Sequence, residues 1–338
     1  MKSLILPPLS VLYGAVTRTR LSLYRRGTLH STSLDRPVIS IGNITTGGTG
    51  KTPLVECVAR ILTAQGKRVC ILTRGYGRDN PKQRVVVSDG NTVLATPDEA
   101  GDEPFLLATN LLGAAVVISD ADRVAASQEA IKQFGVDCFV LDDGFQHLRV
   151  QRDLNILAID ATNPWGGGHL LPYGRLREPR RGVRRADCIV ITRCDQVNNV
   201  AALREEIASL NSVAAVFESR MRIVHVVPLR SFETDRPPKS PLAAFCAVGN
   251  PRAFFNQIPG EVVLEKAFPD HHRYSQAEID SIVDEAKRAG ANSLITTAKD
   301  AVKLHSISFS LPCYVLEITP QIENEAELTE LILNSVKV

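Results

Sequence analysis

The sequence predicts an α/β protein: a doubly wound, mostly parallel sheet joined to a second, smaller α/β domain. From residue 37 to about 217, short β-branched runs of nearly continuous apolar character alternate with helical stretches, the pattern of strands buried on both faces of a parallel sheet. The run at 37–41 passes directly into the glycine-rich turn Gly42-Asn-Ile-Thr-Thr-Gly-Gly-Thr-Gly-Lys-Thr-Pro53 and then into a helix. At 220–241 the composition shifts to proline and charge, after which strand and helix patterns resume. A chain of 338 residues exceeds one ordinary core, which agrees with two domains.

In chain order, residues 1–34 come first and hold five basic residues and no acid. Pro7 and Pro8 can open a helix, after which Leu9, Leu12, Tyr13 and Val16 fall at helical spacing and arginines follow up to Arg26. Such a helix either lies in a bilayer interface, offering arginines to anionic headgroups, or packs on its own domain with a solvated basic end. A signal peptide is a third option, but the prolines interrupt its apolar region and no small-x-small cleavage site follows.

The core domain, 35–219, has strands expected at 37–42, 68–73, 84–88, 114–119, 137–142, 153–159 and 187–193. Helices fill 51–65, 102–112, 121–134 and 198–210. The segment 220–241 reads as a hinge or linker with a short strand at 223–227. The smaller lobe, 242–338, has strands at 242–248, 262–266, 293–297 and 313–318, with helices at 251–258, 275–289 and 323–335.

Composition narrows the function classes. Hydrophobic residues make up 44% and charged residues 22%, as in soluble globular proteins. A net charge of +2 makes no case for nucleic acid, and with aromatics at 5% there are few platforms for base stacking, so no nucleic-acid partner is expected. The seven cysteines form no C-x-x-C pair and several sit inside apolar runs, which predicts reduced, core-filling thiols in the cytosol. No run of eighteen apolar residues exists to span a membrane.

The glycine-rich turn is the most informative stretch. Its backbone N–H groups can curl around an anion while the next helix points its positive end at the same place. Lys51 can reach the β- and γ-phosphates of a nucleotide, and the Thr52 hydroxyl can ligate Mg²⁺. The general pattern G-x-x-x-x-G-K-[ST] asks for glycine where this chain has Thr45. The context of strand, turn and helix makes the core P-loop NTPase-like. Downstream, the apolar run from Cys138 ends in Asp142 and Asp143, and an acid at such a strand end holds Mg²⁺ directly or through water. Sequence does not separate the two.

Other polar clusters have two readings each. Asp102 and Glu103 precede an apolar helix and serve as caps, or one accepts a substrate hydroxyl proton. His271 and His272 are polar loop residues, or one orients a catalytic acid across the cleft; no third ligand at zinc-like spacing accompanies them. Arg74 with Tyr76, and the segment containing Arg175 and Arg177, suit phosphorylated substrates. The run Ile191-Thr-Arg-Cys-Asp195 is distantly similar to the base-reading N-K-x-D of GTPases, but with two of its positions changed it reads as a strand end.

Together these motifs resemble one family, the tetraacyldisaccharide 4′-kinases of lipid A biosynthesis, over nearly the whole chain. The resemblance is carried by the glycine-rich turn, Thr73-Arg-Gly-Tyr-Gly-Arg78, Gly101-Asp-Glu-Pro104, Leu141-Asp-Asp-Gly-Phe-Gln-His147 and Leu176-Arg-Glu-Pro179. It continues in Gly249-Asn-Pro251, Asp270-His-His-Arg-Tyr274 and Thr297-Ala-Lys-Asp-Ala-Val-Lys303. It implies transfer of the ATP γ-phosphoryl to the 4′-hydroxyl of a tetraacylated glucosamine disaccharide 1-phosphate, giving lipid IV-A. It further implies Asp102 as base, paired with His271 (His272 as fallback), and Lys51 in phosphoryl transfer. The nucleotide loop would be Thr45, Thr46, Gly47, Gly48, Thr49, Gly50, Lys51 and Thr52, with Thr45 belonging to the family's own variant. Metal ligands would be Thr52, Asp142, Asp143 and Glu178; Glu103, Arg123, Gln146, Arg74, Tyr76 and Arg177 would line the cleft. The basic N-terminal helix would anchor the protein on the cytoplasmic face of the inner membrane. Ala298 departs from the acid expected in the T-x-K-D-A stretch.

Overall fold

The computed structural model describes residues 2–230 and 237–337, residues 2–5 by their backbone alone. The helix α1 (Lys2–Arg25) precedes β1 (Val38–Gly42), α2 (Lys51–Ala64), β2 (Val69–Thr73) and β3 (Val85–Ser88). A single turn, α3 (Pro97–Ala100), leads into α4 (Asp102–Asn110), then β4 (Ala115–Ser119), α5 (Arg123–Phe134), β5 (Cys138–Asp142), β6 (Leu154–Asp160) and β7 (Cys188–Thr192). After α6 (Ala201–Leu210) comes the long β8 (Ala215–Pro228), followed by β9 (Leu242–Cys246), α7 (Pro251–Phe255), β10 (Val262–Ala267) and α8 (Gln276–Arg288). The chain closes with β11 (Ser293–Thr297), the turn α9 (Ala298–Ala301), β12 (Cys313–Ile322) and α10 (Glu325–Ser335).

The twelve strands of the described residues form one sheet in the order β10-β9-β11-β12-β8-β7-β6-β1-β5-β2-β4-β3. Pairing is parallel except at β3–β4 and at β8–β12. Two halves, the larger with β3 as an antiparallel edge strand, therefore meet at one antiparallel seam, which runs from Ser219 opposite Ile322 to Pro228 opposite Tyr314. In the larger half β1, β2, β4, β5, β6 and β7 are buried along their whole length, as expected of strands covered by helices on both faces. The smaller half has its own core, in which Phe245, Ile279, Ile282, Leu294 and Leu304 pack together.

Two expectations change. The segment 220–241 is not linker from its start: its first residues complete β8, and residues 231–236 lie outside those described. The final helix, expected in the smaller lobe, returns to the larger one, where Leu328, Ile332 and Val336 share a core with Leu54, Val58 and Leu62 of α2. Several expected ends also shorten, as at α7, which stops at Phe255 rather than 258.

Candidate active site

The turns that follow β1, β5, β9 and β11, with the loop after β10, line one cleft of about 1310 Å³. The loop between β1 and α2 is pressed from the other half: a Cβ on Gly249 would lie 2.3 Å from the Gly48 nitrogen, so only glycine permits this approach. Arg175 also donates to the Gly249 carbonyl at 3.2 Å.

Within the loop, Asn43 accepts from Lys51 Nζ at 3.1 Å and donates to Thr49 Oγ1 at 2.9 Å. Lys51 pairs with Asp143 at 2.9 Å, and Arg177 donates to both oxygens of the same carboxylate at 2.6 and 2.8 Å. Burial favours the neutral acid, but these two cations outweigh it and hold the Asp143 carboxyl well below the usual range. Its neighbour behaves oppositely. Asp142 accepts from Thr73 Oγ1 at 3.1 Å through one oxygen, while its Oδ1 is buried and accepts nothing from the described residues. Burial, with the nearby charges of Glu103 and Asp143, pushes the Asp142 carboxyl up to about 6. An acid so poor in cationic partners, next to a second carboxylate, fits a divalent cation. Among the described residues no group of three or more His, Cys, Asp or Glu side chains could hold a metal by itself, so such an ion would complete its shell with nucleotide phosphate and water.

The opposite wall is built from α4 and the loop after β10. Gly101 has φ 93°, and a Cβ there would lie 2.6 Å from the Tyr76 carbonyl; this tight turn sets Asp102 at the first position of α4. Asp102 Oδ2 lies 3.2 Å from His271 Nδ1. His271 has φ 63°, in the left-handed region, where a non-glycine residue must be held by its surroundings. Lys299 Nζ contacts Glu103 at 2.9 Å, Asp270 at 3.1 Å and His271 Nε2 at 3.3 Å. Burial of Glu103 is outweighed by the charges of Lys299 and Lys51, so its carboxyl sits below the ordinary value.

Of the residues expected in the cleft, Thr46, Gly47, Gly48, Thr49, Gly50, Lys51, Thr52, Arg74, Tyr76, Glu103, Arg123, Asp143, Gln146, Arg177 and His271 line it. Arg74 stacks over Tyr76 at 5.3 Å, and buried Arg123 donates to the Asp120 carbonyl at 3.0 Å. Thr45 borders a second cavity of about 370 Å³ instead.

Two expectations are corrected. His272 faces away, bound to Glu278 at 3.1 Å and stacked on Phe268 at 4.7 Å. Glu178, expected as a metal ligand, is buried in an ion pair with Arg185 (2.6 and 2.9 Å) and accepts from Gln146 at 2.9 Å. Removing one partner of such a pair leaves a buried charge, so Glu178→Ala should lose about 3–5 kcal/mol of stability. Urea unfolding should show a lower midpoint with an unchanged slope, while ATP affinity moves less than about threefold. Unchanged stability with lost nucleotide binding would return Glu178 to the metal site. Sequence reasoning missed Asn43, Asp270 and Lys299 as site residues, although all three lie inside motifs it had singled out.

The family model for tetraacyldisaccharide-1-P 4′-kinase matches residues 2–337. A tetraacyldisaccharide 4′-kinase from Geobacter sulfurreducens is 43% identical over 318 residues, covering 92% of this chain and 88% of the relative. One from Desulfatibacillum aliphaticivorans is 36% identical, covering 99% and 93%. Among solved structures, an "apo" form of LpxK from Aquifex aeolicus in complex with ATP covers all of both chains at 30% identity with a TM-score of 0.76. The chain belongs to the tetraacyldisaccharide-1-phosphate 4′-kinase family.

Proposed function

We propose that this kinase, which transfers the ATP γ-phosphoryl to the 4′-hydroxyl of tetraacyldisaccharide 1-phosphate in lipid A biosynthesis, uses Asp102 as general base. The observation that carries this reading is a single cleft lined by Lys51, Asp143 and His271, with Asp102, just behind that lining, joined to His271 across the two halves. Phosphoryl transfer needs in-line positioning and charge neutralisation more than covalent chemistry. Lys51 and the N-terminus of α2 supply positive charge, and the cleft arginines suit a substrate that carries a phosphate. Asp142, Asp143 and Thr52 would hold Mg²⁺, which would neutralise charge on the transferred phosphoryl group. The halves are joined through the antiparallel β8–β12 seam, about which they would close on substrate.

The same reading puts the enzyme on the cytoplasmic face of the inner membrane. No helix among the described residues is long and apolar enough to cross a bilayer. Helix α1 is fastened to the larger half by Ser10 on the Leu170 carbonyl, Tyr13 on the Arg177 carbonyl and Arg20 on the Gln146 carbonyl. It leaves Leu9, Val11, Leu12 and Val16 between 44% and 68% exposed, with Arg18, Arg25 and Arg26 also in solvent. An exposed apolar face flanked by arginines on a helix that also lines the cleft suits a lipid substrate that stays in its bilayer. Replacing Leu12 and Val16 by Asp should weaken binding to anionic vesicles at least about tenfold while ATP affinity is retained. Unchanged vesicle binding would remove the membrane assignment.

The decisive assay incubates the protein with γ-labelled ATP, Mg²⁺ and tetraacyldisaccharide 1-phosphate in mixed micelles and separates the lipids. Label should appear in a more polar lipid and depend on Lys51. ATP binding without labelled lipid, with a control kinase active in the same tube, would overturn the reading.

A further inference from the structure

The segment Thr297-Ala-Lys-Asp-Ala-Val-Lys303 brings two lysines to the back of the Asp102–His271 pair. Lys303 Nζ lies 2.9 Å from buried Asp300 and 3.9 Å from Asp102 Oδ2. Lys299 is the more informative of the two. An ammonium has three N–H donors and no acceptor. Lys299 has three partners within 3.3 Å: Glu103 Oε1, Asp270 Oδ1 and His271 Nε2. Two of these are carboxylates, and their charges outweigh burial and raise the lysine's affinity for its proton, so it is an ammonium at any working pH. Because Nζ can only donate, the ring nitrogen facing it must present a lone pair.

We propose that Lys299 is a positioning residue that selects the tautomer of His271, holding the ring proton on Nδ1 and aiming it at Asp102 Oδ2. This rests on the assignment of Asp102 as base and gives its partner a definite role. With Nδ1 already protonated, His271 cannot take the substrate proton from Oδ2; it donates to that oxygen and fixes the carboxylate plane. Oδ1, which accepts no hydrogen bond from the described residues, is then the atom that receives the 4′-hydroxyl proton. In the transfer itself the substrate oxygen–phosphorus bond forms, the bond from phosphorus to the ADP oxygen breaks, and the proton stays on Asp102. Without Lys299 the ring would be free to turn over its tautomer, present a lone pair to Oδ2, and repel the carboxylate it should orient.

The test is histidine-selective ¹⁵N NMR of the full chain at pH 8, with the His271 signals identified by their loss in His271→Gln. Wild type should show a protonated Nδ1 and an unprotonated Nε2. Lys299→Met should shift the ring toward the Nε2-protonated form and lower kcat about ten- to a hundredfold, with the KM for ATP within about threefold, a smaller loss than removal of the base itself. Lys299→Arg, which keeps a cationic donor, should retain the wild-type tautomer and recover part of kcat. A wild-type ring protonated on Nε2 alone, or on both nitrogens, overturns the proposal without any variant. So does an unchanged tautomer in a folded Lys299→Met protein. A kcat within tenfold of wild type in Asp102→Ala, with His271 of the wild type still protonated on Nδ1, would instead refute the base assignment and leave the tautomer assignment standing.

Discussion

Replacing Asp102 with alanine lowers kcat by about 10²–10⁴, the range a positioned general base supplies, and leaves ATP affinity within about threefold. The separation follows from where the groups stand. The nucleotide loop and its lysine are organised by Asn43, Asp143 and Arg177, none of which bonds to Asp102. Asp102 instead belongs to a second network, tied to His271 at 3.2 Å and near Lys303 at 3.9 Å. Its place in the first turn of α4 adds the favourable end of a helix dipole to the carboxylate. His271→Ala should lose less than Asp102→Ala, and the double variant should be no worse than Asp102→Ala alone, because residues that act as a unit are not additive. Single-turnover assays with nucleotide affinity measured separately check this. A kcat within tenfold of wild type in Asp102→Ala would remove the base from the mechanism.

The parts legible in the sequence are those written contiguously. The strands of the larger half are apolar throughout because helices cover both faces, and the phosphate loop occupies twelve consecutive residues. What was lost depends on partners distant in sequence. β8 looked like linker because its solvent-facing positions carry Arg220 and Arg222 while Met221 between them is buried, and only pairing with β12 makes that alternation a strand. The return of α10 to α2 is decided by which core has room for Leu328 and Ile332, which no local pattern encodes. Adjacent histidines are equivalent on paper; the left-handed backbone at His271 turns one toward Asp102 while His272 caps off against Glu278. Glu178 matched a family position, but Arg185, seven residues on, takes both of its oxygens. Lys299 went unassigned because a lysine's role depends on which acceptors surround it, and here all three come from elements far apart in the chain or across the turn.

The Asp142→Asn variant should lose Mg²⁺-dependent turnover by more than about 10²-fold and yet be more stable than wild type at pH 8 when metal and nucleotide are absent. The acid's ordinary value is 3.8 and burial beside Glu103 and Asp143 lifts it to about 6. A carboxyl raised on folding favours the folded state fully below the lower value, and that contribution is lost as pH climbs through the higher one. At pH 8 the buried carboxylate is therefore ionised at a cost on the order of 1–3 kcal/mol, which a neutral amide of the same shape does not incur. The stability gain of the variant over wild type should accordingly grow by about 1–1.5 kcal/mol between pH 5 and pH 8, read from urea unfolding at each pH. A cation at this site relieves the same cost, so wild-type affinity for Mg²⁺ with nucleotide should weaken below pH 6, where the ion must displace a proton, and the variant should lack that dependence. Asp143 behaves differently: Lys51 and Arg177 keep it ionised far below this range, so its substitution should destabilise the loop without a pH dependence near 6. Full Mg²⁺ activation of the Asp142→Asn enzyme would move the metal away from Asp142 and onto Asp143, and a stability difference that stays flat across pH 5–8 would refute the raised Asp142 carboxyl.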